Sequence, residues 1–288
     1  METTGFPKTL KKFLPLFLLG FLFINGCANS LFYHPTRRMA PAPSTRGHAY
    51  EDVYFHSADG VELNGWWLPA EGQAKGTVVH FHGNAQNMST HIQYAEWLPA
   101  AGYNLFVFDY RGYGNSKGSP SRKGLVRDGM AVLQTVSKRP EVDPERLFVW
   151  GQSLGGTVAL QSIMRSEVPI RAAIIDSTFS SHGKIASDKM KQLPWFLQPV
   201  RLFRPLLISS SYNADEAVRN VPDLPILFIH GEQDRVIPSS HSQHLHELAP
   251  EHSQLWIIPD ARHCDAVLRF PEQVRKRMID FLQKSGSE

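Results

Sequence analysis

Cysteine is nearly missing from this chain. Cys27 and Cys264 are its only two in 288 residues, so a packed core, and no disulfide framework, must hold the fold. An excess of either charge is missing too: setting aside Lys8, Lys11, Lys12 and Glu2 with residues 1–26 leaves 27 basic against 26 acidic side chains, out of 30 and 27. A body so near neutrality lacks the basic stripe that nucleic-acid binding requires. No Gly-x-x-x-x-Gly-Lys phosphate loop and no dinucleotide fingerprint follows a strand candidate, which argues against nucleotide cofactors. His80 and His82, two apart on a strand, face the same way as a pair of metal ligands would. No third ligand stands at a recognisable spacing, so neither a metal nor another cofactor is expected.

What the chain does hold begins with a leader. Lys8, Lys11 and Lys12 precede the apolar run Phe13–Ile24, whose 12 residues suit a signal-peptide core. That is short of the about 20 that a spanning helix needs. The run closes on Ile24-Asn25-Gly26-Cys27, which resembles a bacterial lipoprotein signal, cut before a cysteine that carries acyl chains. The resemblance implies a signal at residues 1–26, lipidation of Cys27, and a membrane-anchored protein of the bacterial cell envelope with its domain outside the cytoplasm. An ordinary cleaved signal, or an uncleaved anchor reaching through Leu31-Phe32-Tyr33, is the alternative. With Pro35, Pro41 and Pro43, residues 27–49 read as a tether to a domain spanning residues 50–288.

Hydrophobic residues make up 42% and charged residues 20%, enough for one ample core. Tyr50–Ser57 alternates as a strand, Ala58-Asp59-Gly60 reads as a turn, and Val61–Leu68 as the antiparallel partner. Strand candidates then alternate with helix candidates at Thr90–Ala100 (ended by Gly102), about Lys123–Lys138, Leu154–Arg165, Ser240–Leu248 and Pro271–Lys284. In the last, Val274, Met278, Phe281 and Leu282 share one face. The alternation predicts an α/β fold: a mostly parallel sheet opened by an antiparallel hairpin, with helices on both faces. The rhythm breaks between the strand Ala172–Ile175 and the next at Pro225, where a small cap is expected at about residues 181–222. Its apolar groups, Pro194–Leu197 and Val200–Leu207, suit either a helix packed on the sheet or the lining of an acyl pocket.

Gly151-Gln152-Ser153-Leu154-Gly155 follows the apolar run Leu147–Trp150 and precedes a helix candidate. In that setting Gly-x-Ser-x-Gly reads as a nucleophile elbow. A tight strand-to-helix turn lifts the serine hydroxyl above the sheet, and small residues flank it because the two backbones nearly touch. The pattern is a weak signal by itself, since a serine nucleophile needs a histidine to take its proton and an acid to orient the histidine. Asp234 follows the strand candidate Pro225–His230, and His263 follows Leu255–Ile258. Both lie just past strand ends, at the rim where parallel sheets carry their sites. Asp176, Asp260 and Asp265 compete for the acid's place. His241, His244, His246 and His252 fall on or near a polar helix and read as solvated, while Cys264 lacks an elbow and reads as a packing residue.

A fourth part lies upstream, where Thr77–Phe81 runs straight into His82-Gly83-Asn84-Ala85-Gln86-Asn87. With serine, acid and histidine following in that order, the chain from about Tyr50 onward resembles the α/β-hydrolase superfamily. Within it, the likeness is to the serine-aminopeptidase-like and monoacylglycerol-lipase-like group. The resemblance implies an oxyanion hole made by the backbone N–H of Asn84, or of Ala85, together with that of Leu154. Leu105–Ser116 resembles the strand and loop that this group carries beside the elbow. A structural role is expected there, with Asp109 and Arg111 paired to each other or to loop backbone. Members of the group cleave esters, thioesters and amides, so the expectation is a cofactor-free serine hydrolase acting on a small-molecule or acyl-lipid substrate through Ser153, His263 and Asp234. The same residues leave two other readings open, a non-catalytic binding lipoprotein on this fold and an acyltransferase.

Overall fold

Eight short runs rich in β-branched and aromatic residues frame the molecule. The computed structural model describes residues 32–191 and 210–287. The chain divides into a unit Met1–His34 and a unit Pro35–Glu288, and the second carries the sheet. Its strands are β1 (Glu51–His56), β2 (Glu62–Leu68), β3 (Thr77–Phe81), β4 (Asn104–Asp109), β5 (Leu147–Gln152), β6 (Ala172–Asp176), β7 (Ile226–Gly231) and β8 (Gln254–Ile258). They lie in the order β8-β7-β6-β5-β3-β4-β2-β1. β2 runs antiparallel to β1 and to β4; every other pairing is parallel. The expected architecture, a parallel sheet opened by a hairpin, is the one observed.

Alternation along the strands builds two cores. Val78, Leu105, Phe148, Ile174 and Leu227 belong to the cluster on one face, together with Met278, Phe281 and Leu282. On the opposite face Phe81 meets Phe108 edge to face, with ring centres 5.1 Å apart. The helices are α1 (Met88–His91), α2 (Arg122–Ser137), α3 (Leu154–Arg165), α4 (His182–Lys191), α5 (Ala214–Val218), α6 (Ser240–Leu248), α7 (Ala266–Arg269) and α8 (Pro271–Ser287). The face predicted for α8, Val274 with Met278, Phe281 and Leu282, is buried. None of the helices among the described residues is long and apolar enough to cross a membrane.

Three expectations meet a different structure. The helix expected at Thr90–Ala100 is only the single turn α1, a 3-10 turn at Ile92–Tyr94 and further turns up to Gly102. The Trp97 indole N–H takes the Tyr94 carbonyl (2.8 Å), and Pro99 has no N–H to offer Ala95. Secondly, residues 36–46 of the expected tether lie on the domain. Asn87 Nδ2 donates to the carbonyls of Thr36 and Arg38, both at 2.9 Å, and Arg37 reaches the carbonyls of Ser116 and Gly118. Arg46 pairs with Glu96 at 2.9 Å. A free tether gives these groups to water; here the domain supplies partners. Thirdly, of the two partners expected for Asp109 and Arg111, each other or backbone, Asp109 takes backbone and Arg111 takes two other carboxylates. Asp109 Oδ1 accepts the Met88 N–H (2.7 Å), while the Arg111 guanidinium forks onto Asp128 (2.7 Å) and Asp59 (2.9 Å). The signal at residues 1–26, Cys27 and the apolar groups at 194–207 lie outside the described residues.

Candidate active site

Ser153 sits on the turn between β5 and α3 with φ 54° and ψ −118°, a backbone conformation that an L residue adopts only under constraint. The constraint is visible. Its N–H donates to the Asp176 carbonyl (2.8 Å), and its own carbonyl accepts from Thr178 Oγ1 (3.0 Å). A Cβ on Gly151 would lie 2.6 Å from Gly156 Cα, so the strand and helix cross where only hydrogen fits. The turn leaves Ser153 half-buried.

The loops after β7 and β8 bring two partners to that hydroxyl. His263 Nε2 is 3.0 Å from Ser153 Oγ, and His263 Nδ1 is 2.7 Å from Asp234 Oδ2. The other carboxylate oxygen, Oδ1, accepts the backbone N–H groups of Val236 (2.7 Å) and Ile237 (2.9 Å). Burial of Asp234 opposes its ionisation, but donors from His230, His263 and the Ile237 N–H outweigh that and hold the carboxyl well below the usual carboxylate range. The competing acids are otherwise engaged. Asp260 accepts from Gln233 (2.8 Å), Asp265 from the Arg262 N–H (2.6 Å), and Asp176 from Gln152 (2.9 Å) and Ser177 (2.8 Å).

The His82–Asn87 loop passes over the serine: a Cβ on Gly83 would lie 3.7 Å from Ser153 Cβ. The Gly83 carbonyl can only accept, so His82 Nδ1, 2.7 Å away, donates to it. In a trans peptide the N–H points opposite the carbonyl, which turns the Asn84 N–H away from His82. His91 Nε2 pins the Ala85 carbonyl in the same way (2.8 Å), and the Tyr113 hydroxyl donates to Asn84 Oδ1 (3.0 Å). Leu154 opens α3, so its N–H has no acceptor within the helix. Ser153, His263 and Asp234 thus meet, with Leu154 next to the serine in the chain and Gly83, which precedes Asn84, packed against it.

Sequence reasoning passed over several neighbours. His230, buried at the end of β7, touches the acid; it stands four residues before Asp234, a spacing that marked it in retrospect. His80, Gln152 and Asp176 form a buried chain under the elbow, with contacts of 3.0 and 2.9 Å. His241, expected to be solvated, is fully buried: its Nδ1 accepts the Ser180 N–H (2.9 Å) and its Nε2 lies 3.2 Å from Asp188. Burial pushes the His241 imidazole down to about 4. Cys264 is a buried free thiol, raised well above the ordinary cysteine range by burial, which suits packing and not attack.

A sheet in this order, with a strained serine on the turn from its fifth strand into a helix, defines an α/β-hydrolase. The family model of serine aminopeptidases, S33, matches residues 72–222, and the chain belongs to that family. It is 38% identical over 276 residues to YfhR of Escherichia coli (strain K12), covering 93% of this chain and 92% of that one. To the α/β-hydrolase domain-containing protein WAV2 of Arabidopsis thaliana it is 29% identical, over 85% of this chain and 82% of the other. Among solved structures, an esterase of Pyrococcus furiosus matches with a TM-score of 0.72 at 25% identity, over 88% of this chain and 98% of that chain. Acetyl xylan esterase 1 of a Thermoanaerobacterium species shares the fold, with a TM-score of 0.64 at 18% identity, over 80% and 83% of the two chains.

Proposed function

We propose that the protein is a serine hydrolase that cleaves a carboxylic ester, thioester or amide through an acyl-enzyme on Ser153. The observation that carries this is the unbroken chain from Ser153 Oγ to His263 Nε2 (3.0 Å) and from His263 Nδ1 to Asp234 Oδ2 (2.7 Å). As Oγ adds to the substrate carbonyl carbon, His263 Nε2 takes its proton, and Asp234 keeps the Nδ1–H and balances the imidazolium. The oxyanion is received by the backbone N–H groups of Asn84 and Leu154, worth about 3 kcal/mol each in the transition state. His263 then returns the proton to the leaving oxygen, sulfur or nitrogen, and a water activated by the same ring releases the acid. The likeness to an esterase of Pyrococcus furiosus at 25% identity supports ester substrates first.

A fluorophosphonate probe is expected to label the wild-type protein and not Ser153→Ala. A folded wild-type chain that neither labels nor hydrolyses any of a panel of esters, thioesters and amides overturns the proposal and leaves a binding protein on the same fold. The second part of the proposal is a lipid anchor on Cys27 after loss of residues 1–26, placing the domain at the bacterial envelope and favouring lipid-like or acylated substrates. Cys27→Ser is expected to abolish incorporation of labelled fatty acid; unchanged incorporation removes the anchor.

A further inference from the structure

His230 has no part in the chemistry just described, yet it touches the acid. It is the last residue but one of β7 and has no exposed surface. Its Nε2 lies 2.8 Å from the Ile237 carbonyl and 3.2 Å from Asp234 Oδ2. A carbonyl and a carboxylate only accept, so Nε2 carries a proton. Nδ1 lies 2.7 Å from Ser242 Oγ on α6, where the neutral ring accepts the hydroxyl proton. Strand, loop and helix together fix one tautomer.

We propose that His230 is a positioning residue of this site: its Nε2–H, aimed by Ile237 and Ser242, bears on the Asp234 carboxylate and sets how firmly the Asp234–His263 pair keeps its proton. This rests on Asp234 and His263 being the acid and base of the reaction. Asp234 Oδ1 is already filled by the Val236 and Ile237 N–H groups, so Oδ2 is the variable oxygen, shared by His263 at 2.7 Å and His230 at 3.2 Å. A donor on Oδ2 stabilises the negative, proton-free form of the pair. Without it the pair holds its proton to higher pH, and His263 is unable to accept from Ser153 over a wider range.

The other ionisable groups around His230 and Asp234 are His241 beside Ser242, Asp176 at the end of β6, and Cys264 beside His263. Burial works against the charged form of each, pushing His241 down and both Asp176 and Cys264 up. None of them supplies the missing donor.

The test is the titration of the His263 ring, followed by NMR in the full chain, with the pH profile of kcat/KM on an ester alongside. His230→Leu is expected to raise the His263 midpoint and the acid limb of activity by up to about one pH unit, because the N–H it removes is shared between the Ile237 carbonyl at 2.8 Å and Asp234 Oδ2 at 3.2 Å. His230→Gln, which offers an amide N–H in place of the ring N–H, is expected to restore the wild-type midpoint. Should His230→Leu not fold, Ser242→Ala, which frees the tautomer, is expected to shift the midpoint in the same direction by less. A folded His230→Leu chain with an unmoved midpoint overturns the proposal, as does an equal shift in His230→Gln. A midpoint that moves in a protein with no turnover on any substrate sinks the hydrolase reading alone, because the titration needs no catalysis.

Discussion

Gly155 lies where α3 starts against the end of β3. A Cβ there would run into the carbonyl oxygens of Phe81 and His82, which are backbone and cannot swing aside. Gly155→Ala is expected to push the helix off the sheet and carry Ser153 away from His263, at a cost of about 1–3 kcal/mol for overpacking. A lowered Tm together with lost fluorophosphonate labelling is the result to look for; full labelling contradicts it. Such a residue is legible in a sequence because it belongs to a recognisable five-residue pattern across a strand end and a helix start, although the carbonyls it makes room for lie at the end of another strand. Asp234 is different. Asp176, Asp260 and Asp265 stand as near to strand ends or to His263 in the sequence, and only the Val236 and Ile237 N–H groups and the imidazole at 2.7 Å single it out. The burial of His241 was not legible at all, since its partners Ser180 and Asp188 come from another part of the chain.

Among the elements, those with apolar residues at a clear period were readable to within a few residues. β3 and the helices α3 and α6 have the expected bounds: β3 is buried along its whole length, α3 starts at the elbow, and Pro238 and Pro250 bracket α6. The segment 90–100 carries a helical pattern as well, and Ile92, Ala95 and Leu98 do face the core. What stops it from winding into one helix is side-chain competition for a carbonyl and a proline, effects of about one hydrogen bond each that a periodicity does not register. The loop after β4 shows the same limit. Its structural role was readable, but Arg111 finds Asp128 on α2 and Asp59 in the β1–β2 turn, partners that only the folded sheet brings near. Burial raises Asp128, and the guanidinium hydrogen bonds work against that.

At the scale of the whole molecule the histidines decide the response to acid. Burial pushes His80 and His91 down to about 3, and His182 and His241 down to about 4, against 6.5 when unfolded. Between about 4 and 6.5 the unfolded chain therefore binds more protons than the folded one, so stability rises with pH there and falls on acidification. Asp128 and Asp176, both raised by burial, act in the opposite sense just above 3.8, two groups against four. The Tm is expected to drop steadily from pH 7 to pH 4; a flat profile is the contrary result. None of this was readable in the sequence, because a histidine's exposure is a property of the assembled layers.

Arg37 is bound to the carbonyls of Gly114, Ser116 and Gly118, partners 77 to 81 positions further along. A ribosome delivers the chain N-terminus first. Residues 36–40 therefore leave it before Asn87 and Ser89 exist to hold them, and Arg37 waits longer still, for Gly114, Ser116 and Gly118. During that interval the stretch is open to whatever machinery handles a nascent chain, and the set of Arg37 contacts is complete only once residue 118 is present.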